Sequence, residues 1–216
     1  MFKRLTRKIS YLCGVILTPF YNIFYKRQGL ICKGVLVNCH IRIIGKKNKI
    51  FIGKGSVLRN VNITINGCNN QLIVGENAQF VECGRIRMED KNGEIRIGDN
   101  FGTSELFLTT ADNDTRIIIG DNCMFSAKVI IRTSDAHSII NASSGERINP
   151  GKDVVIGQHV WIGYGVNILK GSVINDNSII GTQSVVSGLK VPSNSLVAGI
   201  PAKVLKSNIN WIEKRI

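Results

Sequence analysis

The sequence predicts an all-β solenoid, a chain wound into a three-sided prism with one strand on each face. Three observations carry that prediction. An aliphatic residue followed by glycine recurs along the chain, at Ile44-Gly45, Ile52-Gly53, Val74-Gly75, Ile97-Gly98, Ile119-Gly120, Ile156-Gly157, Ile162-Gly163 and Ile180-Gly181. From Ile156 the beat tightens to a period of six, with openers at Ile156, Ile162, Ile168, Ile174 and Ile180 and small or β-branched residues at the fifth positions, Val160, Val166, Ser172, Ser178 and Ser184. The rhythm breaks once, over residues 132–152. A unit this short cannot bury an apolar side alone, so successive faces must stack into coils around a shared core. Three hexads make one coil of about eighteen residues.

Residues 1–28 stand apart from the repeat. Phe2, Leu5, Ile9, Leu12, Ile16, Phe20 and Ile23 recur at three- and four-residue steps, which is helical periodicity. Lys3, Arg4, Arg7 and Lys8 open this segment, and Lys26 and Arg27 close it. No small-x-small cleavage site follows, which argues against a signal peptide. Gly14, Thr18, Pro19 and Asn22 interrupt the apolar run, which argues against a membrane span. An amphipathic helix kinked at Pro19 fits best. Its apolar stripe is expected to pack on the solenoid end and cover the open edge strand. Contact with an anionic membrane surface is the alternative.

Residues 29–205 form the expected solenoid domain. Between Ile41 and Cys123 the glycines of the beat lie 22 or 23 positions apart, which predicts wider corners or small insertions in those coils. From Gly120 to Gly157 the step jumps to 37. The loop of residues 132–152 accounts for the jump, and loops of this kind build binding faces. Residues 206–216 are expected to form a short C-terminal helix, capped by Ser207 and running through Trp211 to Ile216.

A chain of 216 residues is long enough to bury a full core. Its six cysteines (Cys13, Cys32, Cys39, Cys68, Cys83, Cys123) show no C-x-x-C pair, so buried thiols in a reducing compartment are expected, and with them the cytoplasm. The net charge of +13 invites a nucleic-acid reading. The lysines and arginines are spread over the chain without aromatic interleaving, and anionic lipid, nucleotide or glycan would explain the excess as well. Nucleic acid is therefore set aside as a partner.

His137 lies at the root of the loop, within Ser134-Asp135-Ala136-His137, and Gly145-Glu146-Arg147-Ile148-Asn149-Pro150 follows. His40 and His159 read as ordinary polar surface residues. Asp135, two residues before His137, could orient the imidazole, bind an acceptor, or accept backbone N–H groups at a corner. Trp161 takes the sixth position of its hexad, where an indole projects outward, either into a ligand channel or into a subunit interface. Near the end of the repeat stands Gly199-Ile200-Pro201-Ala202-Lys203.

On these motifs the chain resembles the hexapeptide-repeat acyltransferases, specifically over Asp153–Leu205 and more loosely over Ile41–Cys123. The resemblance implies a left-handed parallel β-helix, a hand that departs from the usual crossover rule. It also implies transfer of an acetyl group from acetyl-CoA to a hydroxyl of a cell-surface glycan, without a metal. In that pattern His137 is the general base. Trp161 lines the acetyl and pantetheine channel, as in the glycan and polysialic acid O-acetyltransferases, 24 positions after the histidine. Gly163, Gly181, Thr182, Pro201 and Lys203 would receive the cofactor arm and its phosphates. The resemblance further implies a homotrimer with active sites between neighbouring solenoids. Acetyl transfer to an amino sugar and a non-catalytic adaptor are the alternatives. A zinc lyase is disfavoured, because it needs three converging histidines and His40, His137 and His159 are not closely spaced.

Overall fold

Every opener of the tight hexads points into the interior. Ile156, Ile162, Ile168, Ile174 and Ile180 are at most 1% exposed, and Val160, Val166, Ser172, Ser178 and Ser184 at the fifth positions are fully buried. Short extended segments thus send one residue inward and its neighbour outward on each face. Each fully buried aliphatic side chain contributes about 1.5–3 kcal/mol. The result, in a computed structural model that describes residues 2–214 and 216, is a parallel β-solenoid of about seven turns. The side chains of residues 2–7, and with them the parts expected of Phe2, Lys3, Arg4, Leu5 and Arg7, lie outside the described residues.

One face of the prism is an eight-stranded sheet running from Leu30–Cys32 to Lys190–Val191. The other two faces merge into a second sheet because the strand Gly102–Thr110 turns the corner between them. Its residues Gly102 and Thr103 pair with Met124 and Phe125, while Leu106 to Thr109 pair with Val129 to Arg132. Register gives the coil lengths directly. Leu72 pairs with Ile95 and Ile95 with Ile117, whereas Val155 pairs with Val173 and Ile174 with Val191. Coils of 23 and 22 residues thus give way to coils of 18 and 17.

The extra residues of the early coils sit in a longer third face rather than in wider corners. Val61–Cys68 buries Val61, Ile63 and Ile65 there, where the later strand Asn167–Leu169 buries only Ile168. A wider coil needs larger filling. Phe80, Phe101 and Phe125 supply it, the first pair tilted and the second edge-to-face, with ring centroids 5.7 and 5.0 Å apart. Corners are held by left-handed residues bonded coil to coil: Asn77, Asn100 and Asn122 have φ of 58°, 54° and 57° and link through their side-chain amides. His159 (φ 52°) continues that ladder, its Nδ1 lying 3.0 Å from Oδ1 of Asn177.

The N-terminal helix, Phe2–Tyr25, runs unbroken through Pro19 and does cover the open end, but with the opposite face from the one expected. The hydroxyl of Thr18 accepts from the backbone N–H of Leu36 at 2.9 Å. Asn22 brackets Cys32, donating to its carbonyl and accepting from its N–H, both at 2.8 Å. Tyr21 and Tyr25 donate to the carbonyls of Cys39 and Ile41. Gly14 lets the helix close in, since a Cβ there would sit 2.8 Å from the carbonyl oxygen of Leu36. An edge strand presents N–H and C=O groups, and polar side chains satisfy these where an apolar stripe cannot. The stripe itself faces outward.

The C-terminal end is corrected as well. Ser207 caps no helix. Ala202–Ser207 is a strand that folds back antiparallel on Ser195–Gly199, and no helix follows among the described residues. An extended edge strand was available there, and pairing with it satisfies more backbone groups than a one-turn helix could.

Candidate functional site

The strand Val129–Arg132 delivers the chain to the loop, and the loop is braced before it exposes anything. Thr133 is fully buried and its hydroxyl bonds the carbonyl of Ala111 at 3.1 Å. Ser134 donates to Asp112 and accepts from the N–H of Ala136, each at 3.1 Å. Ala136 then takes a left-handed φ of 67°, a conformation that costs a non-glycine residue roughly 1 kcal/mol and turns the chain outward at His137. The N–H of Lys152 donates to the carbonyl of Thr133 and closes the loop root.

The brace at the centre is Asn149, 8% exposed. Its amide nitrogen donates to the Asp135 carboxylate at 2.8 Å and to the backbone carbonyl of His137 at 2.9 Å. Its amide oxygen accepts from the N–H of Ile139 at 2.7 Å. Asn149 therefore holds the residues on both sides of His137, while the His137 side chain stays exposed. The Lys170 ammonium bonds Asp135 and also the Asn149 carbonyl. Arg147 makes a forked ion pair with Asp112 at 2.9 and 2.8 Å. Lys170 first, then Asn149, hold the Asp135 carboxyl below its ordinary pKa, and Arg147 does the same for Asp112.

Trp161 stands on another face, in the strand Trp161–Ile162, with Ile162 inward and the indole outward and 39% exposed. Its ring lies 6.1 Å from that of Trp211, which stacks on His159 at 4.3 Å and donates its N–H to the His159 carbonyl at 2.8 Å. A recess of about 380 Å³, lined by Asn100, Asn122, Met124, His159 and Trp211, lies beside Met124, the pairing partner of Trp161. Past Ile162 the chain turns a corner where coils approach closely: a Cβ on Gly163 would come within 2.7 Å of the Thr182 nitrogen, and one on Gly181 within 2.8 Å of the Ala198 Cβ. Ala198 in turn pairs with Lys203 across the hairpin that contains Pro201. Gly163, Gly181, Thr182 and Lys203 therefore share one corner, with Thr182, Pro201 and Lys203 exposed on it.

His137 is not at that corner. It belongs to the edge between the Val129–Arg132 face and the Val154–Ile156 face, whereas Gly163 and Thr182 mark the edge at the other end of the strand Asn167–Leu169. A turn through Gly165 (φ 68°) and the strand Asn167–Leu169 separate the two edges along the chain. The carboxylate of Asp135, whether read as orienting the imidazole, binding an acceptor or accepting corner N–H groups, is bonded to Lys170 and Asn149. Asn149, Lys170 and the Asp112–Arg147 pair went unread in the sequence; the one available signal was the Asn149-Pro150 end of the loop motif.

The remaining candidates resolve simply. His40 is exposed on its strand. Among the described residues no group of three or more His, Cys, Asp or Glu gathers as a metal site. All six cysteines are free thiols, and burial pushes those of Cys32 and Cys39 up to about 11 and that of Cys123 to about 12, which makes them inert.

Known proteins share this repeat and this fold. A family described as bacterial transferase hexapeptide (six repeats) matches residues 153–188. The polysialic acid O-acetyltransferase of Neisseria meningitidis is 34% identical over 196 residues, covering 88% of this chain and 90% of that protein. The crystal structure of the polysialic acid O-acetyltransferase OatWY superposes with a TM-score of 0.65 at 28% identity, over 87% of this chain and 93% of that one. The polySia-specific acetyltransferase NeuO gives 0.63 at 29% identity, over 85% and 80%. The solenoid, its repeat and these relatives together place the chain in the hexapeptide-repeat acetyltransferase family, as an enzyme of that family.

Proposed function

We propose that this chain transfers an acetyl group from acetyl-CoA to a hydroxyl of a cell-surface glycan, with sialic-acid-type polymers the first acceptors to test. The observation that carries the reading is the 34% identity to a polysialic acid O-acetyltransferase over nearly the whole of both chains. The braced, outward-facing His137 supports it as the general base. The hydroxyl oxygen attacks the thioester carbonyl while the imidazole takes its proton. The tetrahedral adduct then collapses, the acetyl ester forms, and the departing thiolate receives that proton as the coenzyme A thiol. A thioester is already activated, so no covalent enzyme intermediate is required. Asp135 acts as a positioning residue through Asn149. The close-packed corner of Gly163, Gly181 and Thr182 suits an extended pantetheine arm, Trp161 forms its wall, and Lys203 offers a cation to its phosphates.

His137 and the Trp161 corner lie on different edges of one prism, which supports a homotrimer in which His137 of one subunit faces the Trp161 corner of the next. The test is an acceptor panel incubated with acetyl-CoA and read by mass. Gain of one acetyl unit, labile to mild base, identifies an ester. A base-stable product would indicate transfer to an amino sugar, and no product on any glycan would sink the reading.

A further inference from the structure

The N-terminal helix leaves an apolar face with no partner among the described residues. Ile9, Leu12, Ile16, Phe20 and Ile23 are 54–73% exposed and lie, at 100° per residue, opposite Gly14, Thr18, Tyr21, Asn22 and Tyr25, which dock on the first coil. Charge singles out the same end of the molecule. The cations are spread along the sequence but the acids are not: the first acidic residue is Glu76, so the first 75 residues carry thirteen Lys and Arg and no Asp or Glu. The rest of the chain carries fifteen of each sign, so the whole net charge of +13 belongs to the first coils and the helix. A solenoid lays its sequence down in order along its axis, so this asymmetry becomes a positive pole. Five of those cations, Lys26, Arg27, Lys46, Lys47 and Lys49, line one open cavity of about 600 Å³ where the helix ends, and all five are exposed.

We propose that this pole docks on anionic phospholipid, the exposed helix face lying in the bilayer interface and the cation cluster meeting headgroup phosphates. No helix among the described residues is long and apolar enough to cross a membrane, so the helix would lie on the surface. A second copy is a poor occupant, because it would bring one such pole against another. A soluble anionic polysaccharide would match the cations and leave the apolar face uncovered. Anionic lipid answers both features, and the inference does not depend on the acetyl-transfer reading.

Sedimentation of the full chain with vesicles tests it, using phosphatidylcholine alone and phosphatidylcholine with about a third phosphatidylglycerol. Two variants accompany it: Leu12→Ser/Ile16→Ser/Phe20→Ser, and Lys46→Gln/Lys47→Gln/Lys49→Gln. All six side chains are exposed, so melting temperature should hold in both. Expected are binding to the anionic vesicles only, weakening with added salt, a loss of about tenfold or more in the serine variant, and about fivefold per cation removed in the other. Absence of binding to anionic vesicles would overturn the proposal, as would a serine variant that binds like the parent. A serine variant that changes oligomeric state while vesicle binding is absent would reassign the face to contact between copies. Retention on soluble anionic polysaccharide without vesicle binding would reassign the pole to a glycan.

Discussion

At the scale of the residue, His137 is held by its backbone and left free at its ring. Replacing His137 by Ala should lower turnover by about two to four orders of magnitude with acetyl-CoA affinity little changed, measured by steady-state kinetics and cofactor titration. Asn149→Ala should act differently. It strands the Ile139 N–H and loosens both sides of His137, so it should cost about 1–3 kcal/mol in a denaturant melt and lower kcat as well. The brace also depends on pH. Asp135 and Asp112 both titrate below the ordinary carboxylate value, so the stability they lend is complete above about pH 4 and is lost as the pH falls further. Amide protection factors across residues 133–151, referred to the intrinsic exchange rate at each pH, should therefore fall on acidification below that value, more than in the hexad coils. His137 was legible because the repeat breaks at only one long loop. Asn149 was not, since an Asn-Pro pair reads as an ordinary turn until the fold brings its amide to Asp135.

At the scale of the element, the helix shows the limit of reading amphipathicity from sequence. Its stripe was legible at three- and four-residue spacing, but the face that docks was set by what the solenoid edge presents, unpaired N–H and C=O groups. Asn22→Ala should thus cost about 1–3 kcal/mol, because it leaves both backbone groups of Cys32 unpaired. Ile16→Ala, at 63% exposure, should stay within about 0.5 kcal/mol in the same thermal melt. The reverse order of effects would mean that the apolar stripe is the cap after all. The C-terminal strand was missed for a related reason: Ala202–Ser207 has no local strand signal strong enough to announce an edge still open beside Ser195–Gly199.

At the scale of the whole molecule, coil length was legible wherever the period was strict, and register returns it as 18 residues between Val155 and Val173. The longer coils were legible only as a longer step, since spacing does not say which face lengthens. His137 and the corner of Gly163 and Thr182 fall on different edges of the prism, a separation that the spacing of the repeat does not announce. Light scattering should find a trimer, and mixing His137→Ala with Trp161→Ala chains after dissociation should recover activity that neither variant has alone. Activity that never rises above either parent would point to a site complete within one chain. Mass analysis of sialic-acid-type oligomers after incubation with acetyl-CoA and either the parent chain or His137→Ala tests acetyl transfer and the base together. A base-labile acetyl ester should form with the parent and about a hundredfold less or none with the variant; an ester formed equally by a folded His137→Ala chain would show that the imidazole is not the base.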